Sequence, residues 1–161
     1  MNKQQIYDYL KAKNIEYEVT EHEAVFNMQE IQNIVLPYPD KEAKNIFVRD
    51  DKKRKYYLIT VKGNKRVDLK KVRHDYNTRP LSFASPEELN TLLFLTPGSV
   101  TPLGLLNNTN NDIVFLIDKD FKNDIIGIHP NDNTATIWLK TEDLIMLIQN
   151  HGNEVKIIEL S

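Results

Sequence analysis

Between residues 113 and 117 the chain reads Ile-Val-Phe-Leu-Ile, with no polar residue in the run. A strand wet on one side alternates apolar and polar residues, so this one must be covered on both faces or packed against a helix. The rest of the chain has to supply that cover. Asn45-Ile46-Phe47-Val48 and Tyr56-Tyr57-Leu58-Ile59-Thr60-Val61 are β-rich runs joined by the charged turn Asp50-Asp51-Lys52-Lys53-Arg54-Lys55, a hairpin in outline. Further strands read at 16–20, 134–139 and 154–160. Ile6, Tyr9 and Leu10 share one face of a short helix over 2–11. Asp68 caps a helix over 69–75, and Thr141 caps one through 149 that His151-Gly152 ends. Ser85-Pro86-Glu87-Glu88 combines a cap, a proline at the first helical position and a glutamate at the third. Asn27 followed by Glu30 opens another short helix, which Leu36-Pro37-Tyr38-Pro39 terminates. Hairpins mixed with interposed helices predict an α+β fold: one domain over 1–161, a mixed curved β-sheet with flanking short helices.

Composition narrows the function classes. The 161 residues suit one domain with a real core. There is no cysteine, which removes disulfides, thiol nucleophiles and Cys-ligated zinc. The four histidines show no metal-ligand spacing, so neither a metal nor another cofactor is expected. The N-terminus is polar, and no apolar run approaches the ~20 residues of a membrane span. A cytoplasmic protein without a membrane partner is expected. The formal net charge of −2 conceals a segregation, because residues 41–73 hold 13 Lys/Arg against 4 Asp/Glu. That is a local balance of +9, leaving −11 elsewhere. The two readings of the basic stretch are a solvated hairpin and a face for phosphates.

Two loops follow neither a helical nor a strand period: Thr96-Pro97-Gly98-Ser99-Val100-Thr101-Pro102 and Gly127-Ile128-His129-Pro130-Asn131-Asp132-Asn133. Rigid irregular loops make structural corners or present backbone donors to a ligand. Lys44, followed by apolar strand residues, reads as an edge lysine or as an ammonium in a half-buried cleft. His129, held between Ile128 and Pro130, reads as a structural hydrogen-bonding residue or a base. Ser99 has no His-Asp pattern beside it, so a serine hydrolase is rejected. Phe47, Tyr56 and Tyr57 read as core, and Phe26 and Phe83 as core or pocket wall.

These segments, in order, carry a family resemblance. Ala43-Lys44-Asn45-Ile46-Phe47-Val48-Arg49-Asp50, Lys65-Arg66-Val67-Asp68-Leu69-Lys70-Lys71, Leu81-Ser82-Phe83-Ala84-Ser85-Pro86-Glu87-Glu88-Leu89 and the two loops together resemble the YbaK/prolyl-tRNA-synthetase-associated editing domain family. The Ala-Ser-Pro-Glu-Glu-Leu and Pro-Asn-Asp-Asn-Thr segments look most like the free-standing branch that removes alanine from tRNA(Pro). The resemblance implies hydrolysis of mischarged tRNA(Pro), most simply Ala-tRNA(Pro). It implies the acceptor end of that tRNA as partner, prolyl-tRNA synthetase as a second candidate partner, and no DNA. It implies Lys44 and Asn45 as the catalytic pair. It implies a substrate pocket of His22, Phe26, Gly98, Ser99, Thr101, Pro102 and His129, and a tRNA face of Lys41, Lys53, Arg54, Lys65 and Arg66. Rival readings are a deacylase of Cys-tRNA(Pro) or another small amino acid, a non-catalytic tRNA- or synthetase-binding module, and a small-metabolite binder.

Overall fold

A computed structural model describes residues 1–24 and 35–160. The expected helix opening at Asn27, and Phe26 with it, lie outside the described residues. The expected α+β class holds, and the strands divide into two sheets. The larger contains β2 (Ala43–Asp50), β3 (Tyr56–Lys62), β4 (Leu81–Phe83), β5 (Ile113–Asp118) and β8 (Val155–Ile158), in the order β4-β2-β3-β5-β8. β2 pairs antiparallel with β3 and β4, while β3-β5 and β5-β8 are parallel. The smaller is antiparallel, in the order β1-β7-β6, from β1 (Glu18–Glu21), β6 (Ile125–Ile128) and β7 (Ala135–Lys140).

The apolar run of β5 is buried at every position, as its composition requires. Its Phe115 and Ile117, with Leu58 of β3, face Ile126, Ile128, Ile137 and Leu139 of the small sheet. Ile6 and Leu10 of α1 (Lys3–Ala12) and Leu144 and Ile148 of α4 (Thr141–His151) join the same core. The opposite face of the large sheet, through Val48, Ile59 and Leu116, packs on Val72 of α2 (Leu69–Tyr76). Among the described residues no helix is long and apolar enough to cross a membrane.

The helix starts follow local chemistry. Asp68 accepts from the backbone of Lys70 and Lys71 at the head of α2. Ser85 and Glu88 form a reciprocal capping box on α3 (Pro86–Leu93). Glu88 also accepts from Arg49 and Tyr56, tying α3 to the hairpin. Burial works against its charge, but those hydrogen bonds prevail and hold its pKa down at about 2. Thr141 does not cap α4. It is the first helical residue, Lys140 occupies the cap, and the buried Thr141 hydroxyl makes no hydrogen bond.

The two sheets are stitched at one point. Gly127 of β6 donates its N–H to Lys41 O at 2.9 Å, and Glu42 and Gly127 form a parallel bridge. A Cβ on Gly127 would lie 2.3 Å from Cζ3 of Trp138. Trp138 is 2 % exposed, its ring meets Tyr38 at a tilt of 52° and 5.5 Å, and it donates to Thr20 Oγ1 at 3.0 Å. Those two contacts hold the ring in place. A Cβ on Gly104 would meet only the flexible end of Leu95, at 2.4 Å. We predict that Gly127→Ala lowers unfolding free energy by about 1–3 kcal/mol, and that Gly104→Ala costs less. Urea unfolding followed by Trp138 fluorescence checks both.

Candidate active site

Hydrogen-bond parity along β2 shows where its main chain is available. Gly63 donates to Glu42 O at 3.1 Å, so Glu42 faces Gly63 as a bonded pair. Bonded pairs alternate in an antiparallel ladder, which makes Lys44↔Val61 and Ile46↔Ile59 the next two. The main-chain groups of Asn45 and Phe47 therefore point away from β3. Phe47 O accepts from Ala84 at 3.0 Å, just beyond β4. At Glu42 the same edge is met by β6. Between those neighbours, nothing among the described residues pairs with the N–H and C=O of Asn45. Among the described residues the edge has a gap one residue wide.

Several groups converge on the gap. β6 runs parallel to β2 from the Glu42–Gly127 bridge, so His129 leaves it level with Lys44 and Asn45. Thr101 donates its hydroxyl to His129 O at 2.7 Å, pinning the Pro97–Ser99 turn and its continuation to the His129 loop. Pro97 and Val100 also line a cleft of about 250 Å³ with Asn45, Phe47, Phe83 and Leu89. Asn45 Oδ1 accepts from Thr60 Oγ1 at 2.5 Å, which fixes the amide and leaves its NH2 free among the described residues.

The imidazoles have defined tautomers. His129 Nδ1 lies 2.8 Å from Ala135 O, and a carbonyl only accepts, so Nδ1 carries the proton and Nε2 a lone pair. By the same logic His22 donates from Nδ1 to Glu23 O at 2.7 Å and accepts from Thr136 Oγ1 at 2.9 Å. The rings stand 6.1 Å apart. Burial pushes the His129 pKa below its ordinary 6.5; the Ala135 contact opposes this and His22 adds to it. His129 is neutral at pH 7.

Lys44 and Asn45 do not share a face. Successive strand residues alternate; Ala43 and Phe47 belong to the inter-sheet core, while Ile46 and Val48 belong to the α2 side. Asn45 therefore faces inward and Lys44 leaves on the α2 side. Its half-buried ammonium has a lowered pKa, first from desolvation and then from Arg66 nearby.

The expected substrate residues separate similarly. Gly98 is half-buried in the turn. Ser99 is buried, its hydroxyl bonded to Thr96 O at 3.2 Å. Thr101 is fully buried and acts on the site through His129, and Pro102 is buried behind it. Thr60, Thr136 and Ala135, which orient Asn45, His22 and His129, escape a motif reading. Thr60 was recoverable by counting register back from the hairpin turn.

The basic segment is divided as well. Lys53 and Arg54 are exposed in the β2–β3 turn, which Asp50 organises by accepting from Lys52 and Arg54. Lys41, Lys44, Lys65 and Arg66 lie at the far end of the eight-residue strand, roughly 25 Å away. Lys41 is paired with Asp124 at 2.6 Å, and Lys65 with Asp118 and Asp120, both at 2.6 Å. Among the described residues Lys44, Lys53, Arg54 and Arg66 have no acidic partner.

Among the described residues a main-chain donor without a partner, a fixed amide, a neutral imidazole and the Lys44–Arg66 pair of cations thus gather at one sheet edge. The model of the aminoacyl-tRNA editing domain matches residues 22–147, and the chain belongs to that family. It is 36% identical over 159 residues to the prolyl-tRNA editing protein ProX of Acetoanaerobium sticklandii, covering 98% of this chain and 97% of that protein. It is 29% identical over 150 residues to the prolyl-tRNA synthetase associated domain-containing protein 1 of Bos taurus, covering 90% and 87% respectively. Its fold matches a crystal structure of a candidate trans-editing enzyme for prolyl tRNA synthetase, with a TM-score of 0.72, 21% identity, and 99% and 97% coverage. The family makes the chain an aminoacyl-tRNA deacylase.

Two predictions follow from these environments. His129 binds fewer protons folded than unfolded just below pH 6.5, so stability rises with pH there. Its contribution is complete above pH 6.5 and is lost as pH falls towards the folded value. Urea titrations should show this slope in the parent and its absence in His129→Gln. Separately, Lys65→Ala strands the buried Asp118 carboxylate and should cost about 1–3 kcal/mol. Arg66→Ala should stay within about 0.5 kcal/mol in thermal unfolding.

Proposed function

We propose that this chain acts in trans on mischarged tRNA(Pro), hydrolysing the ester that links alanine to the terminal ribose. The observation that carries the reading is the gap at Asn45. It leaves the Asn45 main-chain N–H open at the sheet edge among the described residues, with His129 and the 97–102 loop beside it. Water adds to the ester carbonyl, the carbon–oxygen bond to the ribose breaks, and the proton from water passes to the ribose oxygen. The Asn45 N–H holds the oxyanion, and Lys44, one residue away, supplies positive charge beside the gap. His129 Nε2 accepts a hydrogen bond from the attacking water; its lowered pKa suits orientation better than proton abstraction.

Alanine is favoured by the stiffness of the loop. Ser99, Thr101 and Pro102 are buried and their loop is bonded to the His129 turn, so the space behind Gly98 does not expand for a larger residue. A synthetase site made for proline cannot strongly reject a smaller amino acid, because a missing methylene is worth only ~1–3 kcal/mol. A second site that admits the small and excludes the large completes the sieve. The cations at the two ends of the hairpin, Lys44 and Arg66 at one and Lys53 and Arg54 at the other, suit an acceptor end lying along it, and affinity should fall steeply with salt.

The experiment is single-turnover deacylation of Ala-tRNA(Pro), with Cys-tRNA(Pro), Pro-tRNA(Pro) and Ala-tRNA(Ala) alongside. Selective loss of alanine from tRNA(Pro) is expected, and preference for cysteine would reassign the substrate. Lys44→Ala should lower the rate on the order of 10²–10³-fold, whereas Asn45→Ala keeps the main-chain donor and should cost less. A folded Lys44→Ala protein with undiminished deacylation would overturn the role given to Lys44.

A further inference from the structure

Both imidazoles of the site are placed from one short stretch of chain. Thr134 O accepts from the His22 N–H at 3.0 Å, Ala135 O lies 2.8 Å from His129 Nδ1, and Thr136 Oγ1 lies 2.9 Å from His22 Nε2. Three successive residues at the head of β7 thus set where both rings stand. Ala135 and Thr136 are held by their register with Glu21 and Thr20 of β1. Thr134 stands just outside the strand, before its first register pair.

The side chain of Thr134 makes further bonds. Its N–H and its hydroxyl both donate to Asp132 Oδ1, at 2.9 and 2.5 Å. The Thr134 hydroxyl, with Lys3 adding to it, holds the Asp132 carboxyl below the usual carboxylate range. A carboxylate only accepts, so the hydroxyl proton is committed to Asp132 and the lone pairs of Oγ1 remain. Lys3 Nζ takes one of them at 3.0 Å and also reaches Glu21 Oε2 at 2.8 Å. One ammonium therefore ties the last residue of β1 to the residue before β7, beside both histidines. Lys3 is poorly suited to its own helix. It is the first helical residue of α1, in a first turn without an acidic residue, where a cation opposes the helix dipole. Its partners lie on β1 and at the head of β7, not within α1.

Resting on the role given to His129 in the deacylase reading, we infer that Lys3 is a positioning residue for deacylation, acting through Thr134 on His22 and His129. It touches no reacting atom. It is a cross-brace that keeps the carbonyls of residues 134 and 135 at one height against β1, so that His129 Nδ1 keeps its acceptor. Nε2 then stays a lone pair for water. Without the brace Thr134 still holds Asp132, but this turn slides against the end of β1. The imidazole then exchanges the Ala135 carbonyl for water and samples the other tautomer. The brace reaches Thr134 from 131 residues away in the chain, which is why no local motif contains it.

The first arm of the test uses the protein without substrate. Ring-nitrogen NMR of the parent at neutral pH should show His129 with Nδ1 protonated and Nε2 bare. Lys3→Met keeps the stem and removes the donors; it should draw the two nitrogen signals together as the tautomers mix. Thr134→Val should do the same, and Lys3→Arg should restore the parent pattern. Lys11→Met, at an exposed position of the same helix, should leave it unchanged. In the second arm, Lys3→Met should slow Ala-tRNA(Pro) deacylation roughly 10-fold, short of the ~10²-fold that a 1 Å misplacement costs. The loss should fall on kcat rather than KM. In a protein already carrying His22→Gln and His129→Gln, the same substitution should cost nothing further. A parent-like spectrum in Lys3→Met would overturn the inference and leave the deacylase reading standing, as would a loss that persists in full without the two histidines. Mixed tautomers in Lys3→Met, in a protein whose parent hydrolyses no charged tRNA, would support the brace and refute the deacylase reading.

Discussion

The hydrogen bond from Gly127 to Lys41 O is the contact on which the site depends. It links the main chains of the two sheets, and it can form because residue 127 has no Cβ to strike Trp138. From that stitch β6 diverges from β2, and β4 takes up the same edge only near Phe47. Main-chain groups at a sheet edge are strongly driven to find partners. Here the fold brings a neighbour to either side of Asn45 and, among the described residues, leaves its N–H and C=O open. The site is the space between two incomplete pairings.

Electrostatics divide the basic segment into two populations that composition cannot tell apart. Lys41 and Lys65 are matched by aspartates from residues 118–124, so their charge holds the hairpin to the β5–β6 connection. Lys44 and Arg66 lack such partners among the described residues, and Arg66 adds to the cost of ionising Lys44. The cations available to RNA are thus fewer than 13 lysines and arginines suggest, and they lie at both ends of the hairpin rather than in one patch. A long ligand lying along the hairpin meets both ends; a small anion meets one.

What was legible in the sequence had short-range causes. The cap at Ser85-Pro86-Glu88, the cap at Asp68 and the covered strand at 113–117 all follow from residues within one turn or one run. The family motifs were legible too, because they span the chain in order. Thr141 misled by a single position, since a threonine before an apolar helical run reads the same at the cap as one residue later. Lys44 and Asn45 were taken together as neighbours, although a period of two sends neighbours to opposite faces. The partners of Lys41 and Lys65 were illegible because they lie 53 or more residues along the chain. The open edge at Asn45 needs the position of β6, which no local pattern specifies.

The bond between the Thr101 hydroxyl and the carbonyl of His129 has an evolutionary consequence. It makes the 97–102 loop and the loop that carries the imidazole one mechanical unit. Under the proposed function, a substitution that enlarges the pocket by displacing residues 98–102 drags His129 with it and spoils the alignment of water. Acceptance of a bulkier amino acid and loss of turnover are then one event. A lineage that changes its substrate must alter both loops together, and one that keeps both is held to small amino acids.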